Sequence, residues 1–139
     1  YDDVDLARFI NRVMLKGKKT VAQRIVYSAM EIVEKQASRP SLEIFQEALR
    51  NATPLLQVKA RRVGGATYQI PIEVPARRGS AMAMRWLITS SRARKGRPMH
   101  EKLAQEFLDA SRGDGAAVKR REDLHRMADA NKAFAHYRW

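Results

Sequence analysis

The hydrophobic period of this chain changes once, from that of a helix to that of a strand and back, and only residues 56–74 carry the shorter period. One such stretch suffices for a single hairpin and is too little for a larger sheet, so the remainder must fold as helices. Leu56, Val58, Ala60 and Arg62 alternate with Gln57, Lys59, Arg61 and Val63. Beyond Gly64-Gly65, Tyr68, Ile70, Ile72 and Val74 alternate with Thr67, Gln69, Pro71 and Glu73. The glycine pair is the turn. At about 3.4 Å per residue, each strand of about eight residues reaches roughly 27 Å. The aliphatic residues lie away from the turn and Arg61 and Arg62 near it, so the base is expected to pack on helices while the tip projects. Two strands alone are marginal in water and Pro71 cannot donate to the ladder, so the tip takes its order from what it touches.

The flanking sequence reads as six helices. Leu6, Phe9, Ile10, Val13 and Met14 form one face, with Asp2, Asp3 and Asp5 at the favourable end and Gly17 as the stop. A second helix is expected from Thr20 as N-cap, presenting Ala22, Ile25, Val26, Ala29, Ile32 and Val33. A third follows Pro40, presents Leu42, Phe45 and Leu49, and ends before Pro54. The spacing predicts a fourth over 78–92, with Ala81, Met84, Leu87 and Ile88 inward. A fifth runs from Pro98 to Ser111, burying Met99, Leu103 and Phe107. A sixth spans 116–133, with Val118, Leu124, Met127 and Ala128 apolar. The expected class is mainly α: a six-helix single domain over 1–139 with a protruding two-stranded antiparallel β-hairpin arm at about 55–75.

Charge then narrows the function. The 139 residues carry 27 Lys and Arg against 15 Asp and Glu, a net charge of +12. Residues 1–49 hold 8 basic and 7 acidic residues, and 98–139 hold 8 and 7 again. Residues 50–97 hold 11 basic residues and one acid, Glu73. Concentrated excess of this kind is an electrostatic footprint for a polyanion, against the blander reading of a solvated face. Arg78, Arg85 and Arg92 recur every seven residues, so they line one outer stripe that continues into Arg94, Lys95 and Arg97. The longest apolar run is four residues, Ala81 to Met84, far short of a membrane span or signal core. The sequence opens at Tyr1, which leaves room for an upstream segment.

Catalytic chemistry finds no foothold. Cysteine is absent, which removes disulfides, thiolate nucleophiles and cysteine zinc sites. A phosphate loop needs a helix after its glycines, and a strand follows Gly64-Gly65. His100, His125 and His136 lack metal-ligand spacing. His125 beside Glu122 and Asp129 is expected to salt-bridge on a helix surface rather than hold a metal. No Gly-x-Ser-x-Gly elbow occurs. Tyr68, Tyr137 and Trp139 could stack on bases, but packing is the favoured reading for aromatic residues.

The segment Arg61-Arg62-Val63-Gly64-Gly65-Ala66-Thr67-Tyr68-Gln69-Ile70-Pro71-Ile72-Glu73-Val74 resembles the arm of the bacterial-type small-ribosomal-subunit protein seven family. Met84-Arg85-Trp86-Leu87 resembles that family's fourth helix. Lys119-Arg120-Arg121-Glu122-Asp123, His125-Arg126-Met127-Ala128 and the run from Ala130 through Phe134 to Trp139 resemble its C-terminal signature. The resemblance implies a structural, non-enzymatic ribosomal protein with no cofactor, metal, membrane or small-molecule substrate. It would bind the 3′ major domain of the small-subunit ribosomal RNA, organise head assembly, and lie near the exit-site transfer RNA and messenger RNA beside small-subunit ribosomal protein eleven. Its place would be the cytoplasmic ribosome, an organellar one being compatible as well. Carried over by position, Lys18, Lys19, Lys59, Arg61, Arg62, Arg77, Arg78, Arg94, Lys95 and Arg97 would face ribosomal RNA, joined by Arg85 and Arg92 of the stripe and by Lys119 and Arg120. Val63, Gly64, Gly65 and Ala66 of the tip, with Tyr137, Arg138 and Trp139 of the tail, would lie near transfer and messenger RNA. The departures are the absence of the basic extension that members carry before the position of Tyr1, and Gly79-Ser80 where many have further basic residues.

The rival reading is an architectural DNA-binding protein whose basic β-arm enters a minor groove. The arm fits both. Val63-Gly64-Gly65-Ala66 offers a small tip with no apolar wedge, which favours RNA.

Overall fold

A computed structural model of the chain describes residues 3–137. In chain order it contains α1 (Val4–Val13), α2 (Lys19–Ala37), α3 (Ser41–Ala52), β1 (Leu56–Val63), β2 (Ala66–Glu73), α4 (Ala76–Ala93), α5 (Met99–Ser111), α6 (Ala116–Ala130) and a short C-terminal 3₁₀ helix (Lys132–Tyr137). The mainly α fold with one antiparallel hairpin is the one that the periodicity predicts.

Asp3 starts α1: its Oδ1 accepts from the Leu6 N–H at 2.9 Å, satisfying one of the donors that a helix start leaves open. The expected faces are inward, with Leu6, Phe9, Ile10 and Val13 buried on α1 and Ala22, Val26, Ala29 and Val33 on α2. The start of α2 differs from expectation. Lys18 stands at the N-cap and Thr20 lies inside the first turn, because the Lys18 carbonyl already accepts from the Ala22 N–H at 3.2 Å. Phe9, Phe45 and Phe107 meet at the centre, their ring centroids 5.3 to 5.5 Å apart, two of the three pairs edge-on. Offset contacts of this type suit the charge distribution of aromatic rings, and they join α1, α3 and α5.

Helix α4 begins at Ala76, two residues before the expected start, because Pro75 occupies the N-cap with a φ of −57° that already suits a helix. Helix α6 ends at Ala130, three residues early, where the chain tightens into the 3₁₀ helix. Of the apolar residues of α6, Met127 is 48% exposed, while Val118 and Ala128 are buried together with Ala117.

In the hairpin, Val63 pairs with Ala66 and Leu56 with Glu73. Gly64 and Gly65 have φ of +58° and +85°, the two positive values of the tight turn that matches strand twist. Directly opposed residues share a face, so Lys59 with Ile70 and Arg61 with Tyr68 lie on one side, and Val58 with Pro71 and Arg62 with Thr67 on the other. The first side is covered: Ile70 is fully buried, and the Tyr68 ring packs on Phe134 of the 3₁₀ helix with centroids 4.9 Å apart. Support therefore reaches beyond the base, and the exposed tip is the segment 64–67.

Candidate nucleic-acid interface

Basic side chains concentrate where α1 packs against α4. The outer side of α4 carries Arg78, Arg85 and Arg92 at two-turn spacing, all exposed. Opposite them, α1 places Arg8 and Arg12 one turn apart, on the side away from its buried stripe. Between the helices lies a cavity of about 520 Å³ lined by Arg8, Arg12, Arg77 and Arg78. A second, of about 240 Å³, is lined by Arg12, Arg85 and Arg92. Arg12 borders both, and no carboxylate lines either. Arg92 is oriented by donating to the Val13 carbonyl at 3.4 Å. Two walls of guanidinium forks along one groove form a receptor for a string of phosphates, each fork able to give parallel hydrogen bonds to phosphate oxygens.

Sequence reasoning missed Arg8 and Arg12. They sit in a charge-balanced third of the chain, and only their four-residue spacing signals a shared helical face.

The other expected contacts are placed unevenly. Lys95 and Arg97 are exposed in the α4–α5 loop and border a cavity of about 410 Å³ with Lys102. Arg94 is committed inward: its Nη2 lies 2.6 Å from Asp109 Oδ2 and 3.3 Å from Glu106 Oε2. Burial opposes the charge of Arg94, but its hydrogen bond to Asp109 and the Glu106 charge outweigh it, and its pKa is raised. Lys119 and Arg120 are exposed on α6, and the Arg120 guanidinium sits 5.4 Å above the Trp86 ring, a cation–π contact between α6 and α4. On the arm, Lys59 and Arg62 are exposed on opposite faces, while Arg61 is half-buried and engaged. Lys18 and Lys19 are exposed after α1, Lys18 beside an apolar cavity with Leu15, Val21 and Ile25. Of the tip, Val63 is half-buried and Gly64, Gly65 and Ala66 are exposed. Arg138, Trp139 and the Tyr137 side chain lie outside the described residues.

Tyr68 packs on Phe134, the role that the sequence favours for it over base stacking. One expectation is corrected. His125 makes no salt bridge to Glu122 or Asp129; its Nε2 accepts from the Leu55 N–H at 2.9 Å and pins α6 to the base of the arm. Burial, aided by the neighbouring Arg121 charge, lowers the His125 pKa and keeps that nitrogen an acceptor. At Gly79 a Cβ would lie 3.0 Å from the Pro54 carbonyl oxygen and 3.1 Å from Thr53 Cγ2, so a larger side chain there would require the segment after α3 to give by a few tenths of an ångström.

The ribosomal protein S7p/S5e family profile matches residues 1–132. Small ribosomal subunit protein uS7 of Cellvibrio japonicus is 59% identical over all 139 residues, which cover 89% of that protein. The proteins of the same description from Dictyoglomus thermophilum and Thermotoga petrophila are each 55% identical over the whole chain, which covers 89% and 90% of them.

Proposed function

The chain belongs to the ribosomal protein S7p/S5e family, a non-enzymatic protein of the small ribosomal subunit that binds ribosomal RNA there, and from that premise we propose what it does in the subunit. It engages the 3′ major domain of the small-subunit RNA and organises the head during assembly. The α1–α4 groove takes the phosphate backbone, with Lys95 and Arg97 of the loop, Lys119 and Arg120 of α6, Lys18 and Lys19 extending the surface. The arm tip and the tail lie near the exit-site transfer RNA and messenger RNA, beside small-subunit ribosomal protein eleven.

The observation that carries this reading is the groove itself, arginine on both walls and no acid among its lining residues. Phosphate contacts of this kind release counterions and fix register, while the shape of a folded RNA supplies selectivity. The exposed tip, Gly64-Gly65-Ala66, has no apolar wedge with which to unstack a duplex, which favours RNA over DNA bending.

Filter binding to the 3′ major domain fragment, to unrelated RNA and to duplex DNA of equal length, across a salt titration, tests the proposal. Preference for the ribosomal fragment that survives at higher salt is expected. Equal binding to all three, collapsing together as salt rises, would overturn it.

A further inference from the structure

Helix α5 buries Leu103, Phe107 and Ala110, and among them Glu106, whose side chain is 0% exposed. Its Oε2 contacts Arg94 at 3.3 Å, just beyond the end of α4. Burial raises the Glu106 pKa, and Arg94 together with the Ala117 N–H in the first turn of α6 works against that by favouring the charged form. Helix α6 has no capping side chain of its own, since its N-cap is Gly115. Gly115 is dictated by the same carboxylate: its φ is +91°, and a Cβ there would lie 2.6 Å from Glu106 Oε2. Asp109 completes the knot, holding Arg94 at 2.6 Å and accepting from Gln105 at 2.9 Å. Asn51 of α3 donates to the Ala110 and Ser111 carbonyls at 2.8 and 3.2 Å, fixing the end of α5 beneath it.

As a source of stability this arrangement is poor. Glu106 Oε1 is buried with no hydrogen-bond partner among the described residues. Buried ion pairs commonly fail to recover their desolvation cost, so what this one supplies is geometry. The loop that it grips through Arg94 continues into Lys95 and Arg97, and the helix that it starts presents Lys119 and Arg120 within its first two turns.

We propose that Glu106 is a positioning residue of the RNA interface: by holding Arg94 and the start of α6 at once, it sets Lys95 and Arg97 in a fixed orientation to Lys119 and Arg120, so that both pairs meet RNA pre-oriented. This rests on the proposed function above. Charge provides the discriminating sign. Glu106→Gln removes at most one negative charge from a chain of net +12 and adds none, so long-range attraction alone would leave polyanion binding as it is or tighten it. Loss of positioning would weaken it.

The experiment compares wild type with E106Q on the 3′ major domain fragment at fixed salt, and repeats the substitution in a chain carrying K95A, R97A, K119A and R120A. Circular dichroism follows the fold, and D109N, which releases Arg94 from its shorter contact, serves should E106Q unfold. Expected is roughly tenfold weaker binding for E106Q in the wild-type background and less than about twofold in the fourfold variant, the pattern of a residue acting through those four. Binding by folded E106Q as tight as wild type, or a loss that persists undiminished in the fourfold variant, overturns the inference. A fourfold variant that binds like wild type would instead refute the assignment of those four residues to RNA, and the inference with it.

Discussion

His125 keeps α6 on the base of the arm through a ring nitrogen that must stay unprotonated to accept from Leu55. Its pKa in the folded chain is lowered, by burial first and by Arg121 second. The unfolded chain therefore takes up the proton first as pH falls. The stabilisation is complete above the ordinary histidine value and is lost as pH drops through the lower folded value. We expect thermal stability to fall between about pH 7.5 and 5 in wild type, and part of that fall to be missing in His125→Gln, with histidine values near 6.5 as the reference point. Parallel pH profiles for the two chains would show that the Leu55 contact carries no proton linkage. In sequence His125 looked like a surface residue flanked by acids; its partner is a backbone amide seventy positions away, which no local pattern encodes. Arg94 misled in the same way, since a cation spent on Glu106 and Asp109 is spelled like one that faces solvent.

The elements themselves were legible, because a buried face must repeat with the period of its backbone whatever it packs against. All six helices and both strands lie where the patterns put them, with no stated end shifted by more than three residues. Less legible was the support of the arm. The period shows two faces, but which one is covered depends on where the C-terminal 3₁₀ helix folds back, and the packing of Phe134 on Tyr68 places that cover two residues from the turn side of β2. Phe134→Ala should accordingly loosen the outer half of the hairpin and leave the phenylalanine centre intact. An aromatic pair of this sort contributes about 1 kcal/mol, so hydrogen exchange of the Arg61 and Tyr68 amides should quicken by roughly fivefold. Amides in α3 and α5 should not change. Uniform acceleration through the whole chain would mean instead that the arm and the helices open as one unit.

At the scale of the whole molecule, the charge count located one wall of the interface and missed the other. Residues 50–97 announce themselves by their excess, yet Arg8 and Arg12 reach the same groove from a stretch in which acids and bases nearly cancel. Among the acids of that stretch, Glu43 and Glu47 pair with Arg39 at the α2–α3 junction, while Asp5 lies 3.8 Å from Arg8 without lining the groove. Linear balance thus hides spatial separation, because packing sorts side chains by helix face and not by position along the chain. Removal of Arg8 and Arg12 together should therefore cost RNA affinity much as removal of Arg85 and Arg92 does, although the first pair comes from a nearly neutral segment. Each lost phosphate contact should flatten the dependence of log affinity on log salt by about 0.7 to 0.9, so either double variant should flatten it by roughly 1.5. Arg39→Ala is the control: it removes the same kind of charge from a guanidinium already bridged to Glu47 at 2.7 Å, and should leave the slope as it was. If the Arg39 variant flattened the slope as much per charge as the groove variants, RNA would be responding to net charge alone, and the two-walled groove would have no special part in holding it.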